Sequence, residues 1–158
     1  MATFKMAVEN VGNVIDVFEE LQDQIGDKRA KSSILLPAMR EAMKPVLLSA
    51  QQESPYATGD LRKSLQIEAR RPNNKDKRSR YANSSDAVIA LVTTASGKKL
   101  KKMGIKSDMR VMAQEFGTAK TPAHPFLRNA LEKNSKIVAD SLGTILAKKI
   151  EKFKAKYK

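Results

Sequence analysis

The sequence contains no cysteine and no tryptophan, and it has only one histidine. Without cysteine the chain cannot form disulfides, thiolate metal sites or a cysteine nucleophile, and this composition fits a reducing cytoplasm. No apolar run approaches the roughly 18 residues that a membrane span requires, and the N-terminus "MATFKMAVEN" lacks the pattern of a signal peptide. We therefore expect a soluble protein that is made in the cytosol and does not bind a membrane.

The side chains that commonly carry catalysis are scarce as well. The histidine, His124, stands in "PAHPF" with no carboxylate nearby in the sequence to orient it, and a lone loop histidine is more often structural or exposed. Glu115 is an isolated acid, for which a salt bridge or a turn contact is the usual role. The segment "SGKKLKKMG" lacks the GxxxxGK[ST] order of a phosphate-binding loop. The sequence therefore predicts no enzyme, no cofactor and no metal site.

Length and composition are those of a small globular protein. At 158 residues, with 41% hydrophobic and 30% charged residues, the chain suits one domain over residues 1–158 and is too short for two comfortable ones. Because aromatic residues make up only 5%, the core has to rest on Leu, Ile, Val, Met and Ala.

The first half predicts a strand and two helices. Phe4, Met6 and Val8 alternate as in a short strand, and apolar residues from Val11 to Ile25 then recur at helical intervals up to Gly26. After the polar connector "DKRAKSS", the segment "ILLPAMREAMKPVLLSAQQES" predicts a helix that Pro45 kinks and that ends before Pro55. Its predicted buried residues are Leu35, Leu36, Met39, Met43, Val46, Leu47 and Ala50.

The second half predicts three strands and one long helix. The strands are Leu61 to Ala69, Ala87 to Thr94 and Met109 to Phe116, and the helix runs from Phe126 to about Phe153. This order predicts an α+β fold: a small antiparallel sheet packed against helices, with a long C-terminal helix. The predicted apolar stripe of that helix comprises Phe126, Ala130, Leu131, Ile137, Val138, Leu142, Ile145, Leu146 and Ile150.

The net charge of +13 is concentrated in two basic loops, at about 70–86 and 95–108, and a lysine-rich tail at about 148–158. A solvated loop is the ordinary interpretation of one such cluster, but three of them favour an acidic or phosphate-rich partner. The candidate partner or phosphate contacts are Arg70, Arg71, Lys75, Lys77, Arg78, Arg80, Lys98, Lys99, Lys101, Lys102 and Lys106. With few aromatics among them, they would contact the nucleic-acid backbone rather than read bases.

The stretch "EFGTAKTPAHPFLRNAL" predicts a rigid corner between a strand and the last helix. Gly117 can take backbone angles closed to other residues and so ends the strand sharply. Pro122 and Pro125 then hold the chain extended, and Pro125 suits the first position of a helix. Phe126 and Leu127 would pin the corner into the core, each contributing about 1.5–3 kcal/mol if fully buried.

Three segments, "TGDLRKSL", "VMAQEFGT" and "TPAHPFLRNALEKN", occur in an order that resembles a family of bacteriophage proteins. These are the tail-completion or head–tail joining proteins of long-tailed phages, which include the lambdoid minor tail protein Z-like members. The resemblance covers about Phe18 to Asn134, with Asn129 in place of the family's usual proline. The matching positions are Thr58, Gly59, Leu61, Arg62, Ser64, Glu115, Phe116, Gly117, Thr118, Pro122, Ala123, Pro125, Phe126, Leu127 and Arg128.

The resemblance implies a structural virion protein that joins further copies of itself in a ring, hexameric by analogy with the sixfold tail tube. The ring would lie at the neck or the head-proximal end of the tail, and the host cytoplasm would be the place of assembly. The implied partners are other neck and tail proteins, such as a tail terminator, tail tube or head connector, with non-specific contact to passing DNA. The basic loops would order mainly against those neighbours. A small basic nucleic-acid-binding protein that contacts the phosphate backbone is the alternative.

Overall fold

The computed structural model describes residues 12–55, 59–78, 88–105 and 110–156, and it confirms the α+β class with a two-stranded antiparallel sheet and a long C-terminal helix. The helices are α1 Gly12–Ile25, α2 Asp27–Ala30, α3 Leu36–Ala42, α4 Lys44–Glu53, α5 Asp60–Ser64, α6 Gly97–Lys102, α7 Arg110–Phe116 and α8 Phe126–Lys156. The strands are β1 Leu65–Arg70 and β2 Ile89–Thr94. The predicted strand at Phe4 to Val8 lies outside the described residues.

The predicted first helix is confirmed, and it ends at Gly26, whose φ is +89°. The polar connector predicted after it is wrong, because "DKRAKSS" is helical: α2 is followed by a π-helical turn over Lys31–Leu35. In that turn the Leu36 N–H donates to the Lys31 carbonyl, five residues back. Pro37 comes next, and a widened turn relieves the clash of a proline ring with the carbonyl four residues before it.

The interruption at Pro45 and the stop before Pro55 are confirmed. The helix breaks at Met43, and α4 begins again with Pro45 in its first turn. It ends at Glu53, and Ser54 is extended, as the residue before a proline prefers to be. The predicted buried face was partly wrong: Leu35, Leu36, Met39 and Leu47 are only partly buried, whereas Ile34, Ala38 and Ala42 are buried together with Met43, Val46 and Ala50.

The strand predicted from Leu61 begins four residues later. Gly59, in the left-handed region at φ +75°, precedes α5, and the Ser64 hydroxyl donates to the Leu61 carbonyl in the last turn. The chain becomes extended only at Leu65, the first residue of β1. Leu65 and Ala69 are the two buried residues of this strand. The β2 prediction is confirmed from Ile89 onward.

The second basic connector is a helix, which corrects the loop prediction for this segment. Leu100 of α6 is buried in a small cluster with Ala95 and Ile105. Two backbone hydrogen bonds end the helix, from the Ile105 N–H to the Leu100 carbonyl and from the Gly104 N–H to the Lys101 carbonyl. With Gly104 at φ +71°, this is a Schellman stop with its apolar contact. One apolar residue among lysines was enough to anchor the helix.

The third predicted strand is also a helix, α7. Val111 and Glu115 are its buried residues, and they lie one helical turn apart. The strand predicted over Met109 to Phe116 and stopped by Gly117 is therefore wrong. Five of the seven residues of α7 are strong helix formers, namely Arg110, Met112, Ala113, Gln114 and Glu115.

The long helix α8 is confirmed over Phe126–Lys156. Two residues of its predicted stripe, Leu131 and Ile137, are exposed, and Ala139 is buried instead. Among the described helices, none carries the long uncharged apolar stretch that crosses a bilayer.

The chain divides into two compact units, each assembled from separated segments. The described residues of the first unit come from 12–42, 69–78, 88–90 and 136–156, and those of the second from 43–55, 59–68, 91–105 and 110–135. The core of the first unit brings α1, α2, α3 and the end of α8 together through Phe18, Leu21, Ala30, Ile34, Ala38, Leu146 and Ile150. Its alanines let these helices approach closely.

Candidate functional site

The second and third motifs form a corner between α7 and α8, built around Gly117. Gly117 has φ +74°, and its N–H donates to the Ala113 carbonyl at 2.8 Å. A Cβ at this position would lie 2.9 Å from the Ala123 amide nitrogen and 3.1 Å from the Thr121 carbonyl oxygen. Both the backbone angle and the available space therefore require glycine.

The turn that follows Gly117 is closed by backbone hydrogen bonds. The Thr118 N–H donates to the Thr121 carbonyl at 2.8 Å, and the Thr118 hydroxyl oxygen accepts from the Thr121 N–H at 3.1 Å. The His124 N–H then donates to the Gln114 carbonyl. His124 thus contributes to the corner through its backbone, which ties the connecting segment back onto α7.

Glu115 joins the two motifs. Its side chain is only 7% exposed, and its carboxylate accepts hydrogen bonds from the Leu127 N–H at 2.9 Å and the Arg128 N–H at 3.2 Å. The Arg128 Nε lies 3.9 Å from the same carboxylate. The first N–H groups of a helix lack intrahelical partners and carry partial positive charge. Glu115 of α7 therefore caps the first turn of α8.

The third motif supports the start of α8 largely as predicted. Phe126 is buried, and the Asn129 N–H donates to the Pro125 carbonyl at 3.0 Å. Pro125 therefore stands just before the first residue of the helix, one position earlier than predicted. Leu127 is only partly buried, so Phe126 is the buried member of this pair.

The outer side of the corner is exposed and carries large apolar side chains. Met112 and Phe116, one turn apart on α7, are 55% and 62% exposed. The Arg128 guanidinium lies 6.0 Å from the centre of the Phe116 ring, at the limit of a cation–π contact. Thr118, Pro122 and Ala123 are also exposed. The corner thus presents apolar and cationic groups on a backbone that its hydrogen bonds hold in place.

The first motif is built into α5 and the turn before it. Gly59 and Ser64 are buried, Leu61 and Arg62 are partly buried, and Thr58 lies outside the described residues. The Arg62 carbonyl accepts from Gln51 of α4 at 3.4 Å, and the Ser64 carbonyl accepts from the Ala95 N–H at 2.7 Å. These residues position α5 against α4 and the end of β2, so their described role is structural.

The first basic cluster has internal structure between residues 70 and 78. Arg70 forms a two-pronged ion pair with Asp76, and Arg71 lies 3.8 Å from Asp27. The hydrogen bonds from the Arg70 side chain, followed by the one from the Asn73 N–H, lower the pKa of the Asp76 carboxyl, and the Arg70 charge adds to this effect. Arg70, Arg71 and Asp76 therefore have partners within the chain itself, and the ordering of this segment against neighbouring subunits stays a prediction.

The remaining residues of that cluster differ in position. Lys75, Lys77 and Arg78 are exposed, and Arg80 lies outside the described residues, as does Lys106 of the second cluster. The four other lysines of the second cluster, Lys98, Lys99, Lys101 and Lys102, are all exposed on α6. Lys99 donates to the Gln66 side-chain oxygen at 2.8 Å. The structure thus displays this cluster on a short, anchored helix.

An acidic face on α1 escaped the sequence analysis. Asp16, Glu19, Glu20 and Asp23 are exposed along one side of the helix, and Gly12–Ile25 contains no Lys or Arg. The absence of Lys and Arg from this 14-residue segment is itself a signal in the sequence, because 30 of the 158 residues of the chain are Lys or Arg. The positive net charge of the whole chain masks this local acidic segment.

No family model, curated protein or solved structure matches the chain. Within the described ranges, no group of three or more histidine or acidic side chains could hold a metal ion.

Proposed function

We propose that this chain is a structural subunit of a tailed-bacteriophage virion, which completes the tail or connects it to the head by assembling into a ring. The corner is the observation that carries the proposal. Two of the three motifs behind the family resemblance meet there, because the Glu115 carboxylate accepts from Leu127 and Arg128. The motif residues thus form a rigid local structure, as expected for a subunit whose role is to bind other subunits.

The surface of the corner supports a contact with other subunits. Large exposed apolar patches on a soluble protein mark interaction sites more often than not, and Met112 and Phe116 lie side by side on α7. Aromatic, Met and Arg side chains are enriched in protein interfaces, and Arg128 lies over the Phe116 ring. A rigid backbone lowers the entropy that is lost on binding. In a ring, this surface would contact a neighbouring neck or tail protein or a further copy.

A test in the virus follows from this role. Deleting the gene from its phage should leave heads and tails that do not join, and the wild-type gene supplied in trans should restore infectious particles. Electron micrographs and the titre measure the outcome, and mass spectrometry of purified particles should detect the protein. Joined, infectious particles that lack the protein would overturn the proposal.

The second candidate, a nucleic-acid-binding protein, is favoured by the four exposed lysines of α6. Such binding would go to the phosphate backbone, and its affinity would fall steeply with salt. Titration of the purified chain with duplex DNA at several salt concentrations, combined with the mass of the free protein, separates the two candidates. Tight, salt-dependent DNA binding by a monomer that is absent from particles would favour this second candidate.

A further inference from the structure

We infer that copies of this chain associate head to tail, with the acidic face of α1 on one copy against the basic face of α6 on the next. This inference rests on the proposed ring assembly and names the surfaces that would join its subunits. The acidic face comprises Asp16, Glu19, Glu20 and Asp23, and the basic face comprises Lys98, Lys99, Lys101 and Lys102.

The acidic face is a continuous stripe. Its four residues follow the spacing i, i+3, i+4 and i+7, which places them along one side of a helix. Within the described residues, none of the four carboxylates forms an ion pair. Like charges one turn apart repel each other, so the stripe destabilises the isolated helix and would gain from an external positive partner.

The helix dipole does not explain the stripe either. Acidic residues stabilise a helix in its first turn, and basic residues stabilise its last turn. In α1 the first turn has no acidic residue and the last turn no basic one, while Asp23 lies in the last turn. Interaction with the helix dipole therefore does not account for the position of these charges, whereas a contact with a basic surface would.

The basic face is held on a scaffold that is already ordered. Leu100 anchors α6 to Ala95 and Ile105, and the Schellman bonds at Gly104 end it. Its lysines therefore need less ordering on binding than lysines of a free loop. At a rise of 1.5 Å per residue, the acidic face from Asp16 to Asp23 extends over about 10.5 Å and the basic face from Lys98 to Lys102 over about 6 Å, so the basic face fits within the length of the acidic one.

Each face also has an exposed apolar residue beside it. Ile15, next to Asp16, is 44% exposed, and Met103, next to Lys102, is 42% exposed. Exposed ion pairs alone contribute little to stability, and interfaces need an apolar centre with a polar rim. Ile15 and Met103 can supply that centre when the two faces meet.

A second copy is the partner that these observations favour, because one chain carries both complementary faces. Two different surfaces that bind each other make a heterologous contact, which repeats from copy to copy and closes into a ring when the rotation allows. An acidic partner protein for α6 or a basic one for α1 would leave the other face unexplained.

The test uses two charge-reversed full-length variants. The α1 variant carries Glu19→Lys, Glu20→Lys and Asp23→Lys, and the α6 variant carries Lys98→Glu, Lys101→Glu and Lys102→Glu. Sedimentation velocity of the wild type should show oligomers that weaken between about 0.1 M and about 1 M salt, as screening shortens from about 10 Å to about 3 Å. Each variant alone should associate about a hundredfold more weakly, because like charges would then face each other.

Mixing the two variants should restore assembly, since each basic α1 would then meet an acidic α6 and each acidic α1 a basic α6. The matched control, Lys148→Glu with Lys152→Glu and Lys154→Glu, removes the same amount of positive charge from α8. It should associate like the wild type, and mixing it with the α1 variant should restore nothing. Circular dichroism checks that each variant folds. If the α1 variant does not fold, the neutral set Glu19→Gln, Glu20→Gln and Asp23→Asn replaces it. The expected result for this neutral set is that its self-association no longer depends on salt.

The outcomes separate this inference from the proposed function. A monomeric wild type, a closed dimer as the largest species, or variants that still form rings would overturn the contact, even if the virus requires the protein. Restored assembly on mixing supports the contact, even if particles form without the protein. Loss of duplex-DNA binding in the α6 variant with unchanged self-association would assign the lysines to phosphate and overturn the contact.

Discussion

Gly117 lies against the backbone of Ala123 so closely that a Cβ at Gly117 would be 2.9 Å from the Ala123 amide nitrogen. Since Gly117 also has a positive φ, we expect Gly117→Ala to lower the free energy of unfolding by about 2–4 kcal/mol. Urea denaturation of the full-length protein measures this change.

Two other glycines separate the causes of that loss. Gly104 has a similar φ of +71° with nothing within 4 Å of its missing Cβ, so Gly104→Ala should cost only the strain, about 1–2 kcal/mol. Gly97, in the first position of α6, has neither constraint, and Gly97→Ala should be neutral or slightly stabilising. Equal losses at Gly117 and Gly104 would contradict the close contact with Ala123.

Removal of the cap on α8 should be costly as well. Glu115→Ala leaves the Leu127 and Arg128 N–H groups without their acceptor, and we expect a loss of about 2 kcal/mol in the free energy of unfolding. Glu115→Gln keeps one oxygen acceptor and should lose less. Glu132→Ala, at an exposed position of the same helix, is the control, and an equal effect of both alanine variants would refute the capping role.

The ion pair of Asp76 should make stability depend on pH in the acid range. The hydrogen bonds from Arg70 and the Asn73 N–H lower the pKa of Asp76 in the folded chain, so the folded state binds the proton less readily than the unfolded state. The charged carboxylate therefore stabilises the fold above the unfolded-state pKa, about 3.9, and this contribution is lost as pH falls through the folded-state pKa.

The measurement compares the wild type with Asp76→Asn in urea at several pH values. Their difference in unfolding free energy should be constant near neutral pH and should shrink as the solution becomes more acidic than the unfolded-state pKa. Asp140→Asn changes an exposed carboxylate of α8 and serves as the reference. A difference that grows with acidity would show that the sign is wrong.

The helical state of α6 can be tested by limited proteolysis. Leu100 is the buried residue of α6, and Leu100→Ala should cost about 2–4 kcal/mol locally. Trypsin should then cut after Lys98 to Lys102 much faster than in the wild type, as mass spectrometry of the fragments would show. Leu48→Ala removes an exposed leucine of α4 and should leave the cleavage unchanged. Rapid cleavage of the wild type at these lysines would instead restore the loop interpretation.

Phe116 should matter for assembly more than for folding. Phe116 is 62% exposed, and the Arg128 guanidinium lies 6.0 Å from the centre of its ring, at the limit of a cation–π contact. Phe116→Ser should therefore reduce the free energy of unfolding by only about 0.5–1 kcal/mol. Head–tail joining in the complementation assay should fall about tenfold or more, since buried aromatic residues dominate interfaces. Leu48→Ser, equally exposed on α4, should complement fully, and full complementation by Phe116→Ser would remove the corner surface from the proposed function.

Steric rules that act within a few residues made parts of the fold predictable. Pro45 and Pro55 set the break and the end of α4, and Gly26 ended α1, because each restricts the backbone locally. The α7 prediction failed since Glu115 is buried through a partner twelve residues away, and no local pattern reveals that. The loop prediction for α6 failed because a single apolar residue, Leu100, anchors this helix, and one apolar residue among lysines forms no recognisable helical pattern.

The candidate site was predictable as a set of residues and not as a geometry. The resemblance identified Glu115, Gly117 and Phe126, and their positions at one corner follow from their order in the chain. The hydrogen bonds from the start of α8 to Glu115 join atoms that only the folded backbone brings together. The acidic face of α1 could be recognised from the spacing of its four carboxylates, and the structure adds that this side of the helix is exposed.

The two compact units have a practical consequence for protein engineering. Segments of the first unit come from both ends and the middle of the chain, so the shortest fragment that contains them all is nearly the entire polypeptide. A truncation that reaches into α1 or the end of α8 removes part of that unit, so tags or crosslinks are safer tools than truncations for locating the chain in an assembly.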